Sequence, residues 1–69
     1  MGLAMNVGKS IKIALAKRDI NQTQLAEKLG FTQVWVNRLA NSRTASMTTV
    51  ETLAKALDMQ VSEFIALGE

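Results

Sequence analysis

The stretch that decides the fold is Gln22 to Asn41, QTQLAEKLGFTQVWVNRLAN. Leu25, Ala26 and Leu29 fall at i, i+1 and i+4, which places them on one face of a helix. Gly30 follows, where a tight turn needs a residue at ease with positive φ. Thr32 is a natural N-cap for a second helix. Phe31 before that cap and Val36 four residues after it have the spacing of a hydrophobic staple. Val36 and Leu39 carry the buried stripe onward. Ala26 is the small residue that two closely crossing helices require between them.

Helix, glycine turn and capped helix form the layout of a DNA-reading helix-turn-helix. A plain αα-hairpin would need only the apolar stripe, whereas here the cap, the small residue, the glycine and the staple spacing all agree. At 3.6 residues per turn, Val36 and Leu39 define the inner side of the second helix. Val34, Asn37, Arg38 and Asn41 then fall outside, with Gln33 at the N-terminal tip. No acidic residue lies between Gln33 and Asn41. A merely solvated helix usually carries Glu–Lys pairs there, so this face suits a polyanion.

On these residues the chain resembles the Cro/repressor-like (XRE-type) helix-turn-helix family, which includes phage repressors and small bacterial regulators. The elements that carry the resemblance are Asn21-Gln22 ahead of Leu25-Ala26, then Leu29-Gly30-Phe31-Thr32-Gln33, Val36, Leu39 and Asn41, and later Leu53-Ala54-Lys55-Ala56-Leu57. It extends from about Lys12 to Leu67. The resemblance implies an all-α fold, a compact five-helix bundle of the lambda-repressor-like DNA-binding type with a central helix-turn-helix. It implies a sequence-specific regulator of transcription, a repressor, that inserts the helix at 33–41 in the major groove of double-stranded DNA. Ser42 departs from the family where glycine usually follows the recognition helix, and Ala45 where proline is common.

Roles follow from side-chain chemistry and from that resemblance together. In the resembling repressors the glutamine matching Gln22 braces the DNA backbone and the one matching Gln33, while the latter reads adenine; glutamine can bond adenine N6 and N7. Val34 has no hydrogen bond to offer but can pack on thymine methyls. Arg38 suits guanine or phosphate, and Asn37 can reach a base edge. Gln33, Val34, Asn37 and Arg38 are therefore the expected base readers. Asn41, Ser42, Arg43 and Thr44 match the family loop that contacts backbone phosphate; Gln22, Thr32 and Trp35 complete the backbone set. Trp35 has two equal readings, packed against the following loop or laid along the sugar-phosphate wall.

The rest of the chain fits one small domain. Sixty-nine residues lie near the lower size at which a core holds without staples. With no cysteine and no histidine, disulfides and the usual zinc sites are excluded. The same absence removes the common general bases and thiolate nucleophiles, and the carboxylates are scattered, so neither catalysis nor a cofactor, metal or small-molecule ligand is expected. Proline is absent and β-branched alternation is missing, which argues against strands. Up to Arg43 there are seven basic side chains against two acidic ones; beyond it there is one against four. A basic half that contains the reading helix is an electrostatic footprint for nucleic acid.

Residues 1–6 read as a flexible extension, with a second possible start at Met5, ahead of a domain over 7–69. No signal-peptide pattern or membrane-length run is present, so a cytoplasmic protein is expected. Gly8-Lys9-Ser10 echoes the end of a P-loop but lacks the earlier glycine, since Leu3 stands there. Gly2 lacks the Ser or Thr that a myristoylation signal needs, Asn6 standing instead. Asn21-Gln22-Thr23 matches a glycosylation sequon, though capping is the better use of Asn21.

Val7 to about Lys17 should form a first helix with Ile11, Ala14 and Leu15 inside. A later helix should bury Met47, Val50, Leu53, Ala54 and Leu57, capped by Ser46 or by a Thr48–Glu51 box. Asp58 should end it in a left-handed conformation. Ser62 should cap a last helix through Leu67, stopped by Gly68. That helix carries Val61, Phe64, Ile65 and Leu67, more apolar surface than one face can bury, and so is expected to join a homodimer on a palindromic operator. The alternative reading is an antitoxin or other protein-interaction module that keeps the fold, with DNA binding secondary or lost.

Overall fold

A computed structural model describes residues 6–69. They form five α-helices in order: α1 (Val7–Arg18), α2 (Gln22–Leu29), α3 (Gln33–Ala40), α4 (Met47–Ala56) and α5 (Val61–Leu67). No strand occurs among the described residues. The helix α1 packs on α5 and α3, α2 on α3 and α4, and α4 on α5. Each helix contributes to one apolar core: Val7 and Ile11 from α1, Leu25 from α2, Val36 from α3, Leu53 from α4 and Phe64 from α5 are fully enclosed.

Three connections are built the same way. After α1, α2 and α4 the chain turns through a left-handed residue, Asp19, Gly30 and Asp58 respectively. The apolar residue that follows each donates its N–H to the carbonyl five positions earlier, Ile20 to Leu15 O, Phe31 to Ala26 O and Met59 to Ala54 O. These are Schellman turns, which satisfy helix-end carbonyls that would otherwise lack partners. Arg18 ties two of them together, since its Nη2 donates to Asp58 O at 2.8 Å.

The caps correct several expectations. Asn21 Oδ1 accepts from Gln24 N at 2.8 Å and Gln24 Oε1 accepts from Asn21 N at 2.9 Å, a complete capping box. Ser46, and not the Thr48–Glu51 box, caps α4, accepting from Thr49 N at 3.2 Å. Ser62 does not cap α5: the N-cap is Gln60, two residues earlier, with Glu63 Oε1 accepting from Gln60 N at 3.0 Å. Gly68 ends α5 with a negative φ, so left-handed freedom is not its reason for being glycine. Asn6 belongs to the domain and not to an extension, because its Oδ1 accepts from Lys9 N at 3.1 Å and caps α1. The rest of the expected extension, residues 1–5, lies outside the described residues.

Burial brings two further corrections. Met47 is 56% exposed, so the inner face of α4 begins at Val50. Phe64 is fully enclosed within the monomer and therefore cannot line a surface between copies. Val61, Ile65 and Leu67 are partly buried against the core, so α5 covers more of its apolar surplus than its sequence suggests. Among the described residues the large apolar side chains left exposed are Phe31, Val34 and Met47.

The start of α1 clasps the loop that follows α3. Val7 N donates to Arg43 O at 3.1 Å, Gly8 N to Ser42 O at 2.8 Å and Asn6 N to Gly68 O at 3.1 Å. A Cβ at Gly8 would overlap Ala40 O and lie 2.8 Å from Ser42 O, both rigid backbone atoms. Gly8 thus serves close approach, and its place in a buried helical turn removes the last trace of a P-loop reading. Gly8→Ala should lower unfolding free energy by about 1–3 kcal/mol, as overpacking does. Urea denaturation measures it, and a loss under about 0.5 kcal/mol, the usual range of a surface change, would contradict the close approach.

Candidate nucleic-acid interface

The helix α3 is placed at both ends by its neighbours. At its start, Gly30 (φ 75°) turns the chain and Thr32 Oγ1 accepts from Trp35 N at 3.2 Å. At its end, Asn41 is the C-cap, so the helix runs 33–40 and not 33–41. Ser42 follows with Oγ donating to Arg38 O at 2.9 Å and its N–H donating to Leu39 O at 3.0 Å. Its φ is not positive, so the loop closes without the glycine usual there.

Val36 and Ala40 are buried and Leu39 is partly buried, which faces the opposite side of α3 outward. Gln33, Val34, Asn37 and Arg38 are all exposed, Val34 by 70%. Gln22, Gln33, Val34 and Asn37 line one shallow depression where the starts of α2 and α3 meet. Arg38, Thr32, Asn41, Arg43 and Thr44 are exposed and Ser42 is half-buried. The depression thus brings together three of the expected readers, Gln33, Val34 and Asn37, with Gln22 of the expected backbone set.

Hydrogen bonds tie these side chains to each other. Gln33 Nε2 donates to Thr23 Oγ1, a close contact. Asn37 Nδ2 donates to Gln22 Oε1 at 3.3 Å. Asn41 Nδ2 donates to Asn37 O at 2.9 Å and to Asn37 Oδ1 at 3.3 Å. An amide relay thus runs from Asn41 through Asn37 to Gln22. A carboxamide has two N–H donors and an oxygen acceptor, so Gln33 keeps one N–H and its Oε1 for a bidentate contact while held by Thr23. Asn37 is more heavily committed, with one N–H and its oxygen already engaged. Gln22 braces Asn37, where the resemblance implies that it braces Gln33.

Trp35 has a ring partner that neither expected reading includes. It is partly buried against the core, and its ring lies 4.5 Å from Phe31, tilted by 32°. The ring partner thus precedes the helix and is not in the following loop. Phe31, which has staple spacing to Val36, is 48% exposed and meets the Trp35 ring. Thr23 was not expected at the site at all. Nothing in its spacing from Gln33 marks the pair, which only the helix crossing creates.

A family model described as the Cro/C1-type HTH DNA-binding domain matches residues 10–68. The chain belongs to the Cro/C1-type helix-turn-helix family. A search of curated proteins gives no match. The matched span takes in α2, α3 and the loop after them, so the depression and its relay lie inside the family's DNA-binding domain. Asn6, Val7, Gly8 and Lys9 lie ahead of it.

Thr23→Val should free the Gln33 amide without disturbing the relay. In side-chain NMR the Gln33 NH2 pair should move towards free-glutamine values and gain fast motion, with the Asn37 pair unchanged. A Gln33 pair that stays put in the variant would contradict the tether.

Proposed function

We propose that the chain is a sequence-specific regulator of transcription, a cytoplasmic repressor, that lays α3 in the major groove of double-stranded DNA. The observation that carries this reading is the exposed face Gln33, Val34, Asn37, Arg38, free of carboxylates on a helix of a Cro/C1-type domain. Gln33 offers the donor–acceptor pair that adenine matches, Val34 an apolar surface for a thymine methyl, and Arg38 a fork for guanine or phosphate. Gln22, Thr32, Trp35 and Asn41 to Thr44 line the groove walls, where hydrogen bonds fix register without reading sequence. Bound duplex is denied to other proteins, which is how such a domain represses.

The working form is a homodimer on a palindromic operator, because one recognition helix covers only a few base pairs. Two copies related by a twofold read half-sites about 34 Å apart. The partly buried Val61, Ile65 and Leu67 of α5 are the contact residues, and the enclosed Phe64 supports them. Because Ile65 also packs on the core, Ile65→Asp perturbs folding and association together. Ala66→Glu, on an exposed position of the same helix, tests association alone. It should lower the mass in sedimentation towards the monomer and weaken operator binding; unchanged mass and affinity would place the interface elsewhere.

A second reading, a protein-binding module such as an antitoxin, is favoured by the Phe31–Trp35 pair, whose outer ring is open to solvent. The concentration of basic side chains before Arg43 weighs for DNA.

Selection of duplexes from a random pool, followed by salt titration of the winner, separates the two readings. DNA reading predicts a preferred sequence and affinity that falls steeply with salt as counterions are released. Val34→Ala and Gln33→Ala should change the preferred bases, by about 1–3 kcal/mol per good contact. Arg43→Ala should weaken all sequences alike and reduce the salt slope by about 1. No preference over random DNA at moderate salt would overturn the reading, and altered base preference in Arg43→Ala with none in Val34→Ala would reverse the roles.

A further inference from the structure

A second charged surface lies beside the reading face. Lys9 and Lys12, three residues apart and so on one side of α1, line a groove with Asn41, Ser42 and Arg43, and partly buried Ile13 forms part of its wall. Lys9, Lys12 and Arg43 are exposed, and no carboxylate side chain lines the groove. Lys9 Nζ donates to Glu69 O at 3.2 Å. The carbonyl oxygens of Ser42 and Arg43 would repel an anion, but they accept from Gly8 N and Val7 N. The clasp that seats the loop therefore also occupies the loop's own negative ends.

We propose that this groove takes the DNA backbone flanking the base-read segment, with Lys9, Lys12 and Arg43 holding phosphates beyond the reach of α3. Charge complementarity argues for a polyanion. Continuity argues for DNA in particular, because Asn41, Ser42 and Arg43 belong both to this groove and to the loop assigned to backbone contact. A duplex seated on α3 and followed past that loop meets α1 next. The site rests on the DNA-binding reading above and extends its footprint onto α1, which supplies none of the expected contacts.

The test compares the selected duplex at two lengths, one trimmed to the base-read segment and one with several flanking base pairs, for wild type, Lys9→Gln/Lys12→Gln, Lys12→Arg and Lys17→Gln. On the long duplex the double variant should lose affinity, and its salt slope should shrink by roughly 0.9 for each phosphate contact removed. On the trimmed duplex it should match wild type. Lys12→Arg should keep the slope, and base preferences should not move in any variant. Lys17→Gln removes the same charge per residue from the far end of α1 and should behave as wild type. An unchanged slope in the double variant would overturn the groove, and so would an equal loss on both lengths or in Lys17→Gln. Those results would leave base reading by α3 standing, whereas wild type that prefers no duplex would remove both.

Discussion

Three backbone amides at the start of α1 hold the molecule in register. Asn6, Val7 and Gly8 reach the end of α5 and the loop after α3, so one turn of helix joins the N-terminal segment, the C-terminal segment and the exit from α3. This requires two chain segments to approach within hydrogen-bonding distance, which only a residue without Cβ permits at position 8. The entrance to α3 is set independently by the Schellman turn at Gly30 and the Thr32 cap. Fixed at both ends, an eight-residue helix that would be marginal alone is held at one angle to its neighbours.

The outward side chains inherit that order. Gln33 is tethered to Thr23 and Asn37 to Gln22 and Asn41, so their conformations are restricted before any ligand arrives. Ordering a rotamer-rich side chain on binding costs roughly 0.5–1.5 kcal/mol, and part of that cost is already met in folding. Val34 needs no tether because its branched Cβ leaves few rotamers. Arg38 and Arg43 have no such restraint in the hydrogen-bond network described above, which suits charge-based contacts that tolerate several geometries.

Much of this was legible in the sequence because it is local. Leu25-Ala26, Gly30, Thr32 and Val36 act within a few residues of each other, and periodicity alone assigns Val34, Asn37 and Arg38 to the outside. Asp58 showed its left-handed role through its residue type. What escaped depends on contacts distant along the chain. Gly8 is explained only by Ala40 and Ser42, Thr23 only by Gln33, and Phe64 only by a core drawn from all five helices. Counting apolar residues on α5 could not reveal how many of its faces other helices cover. Ser62 is the better intrinsic cap for α5, yet the helix starts from Gln60, whose N–H is held by Glu63.

On the proposed function, the exposed face of α3 is where duplex DNA is read. Titrating the selected duplex into isotope-labelled protein, and following amide shifts together with intermolecular NOEs, tests it most directly. The side chains of Gln33, Val34 and Arg38 should show NOEs to base protons in the major groove, with Asn41 to Thr44 shifting and the core amides of α4 unmoved. NOEs from α4 or α5 to the bases, with α3 unperturbed, would contradict it.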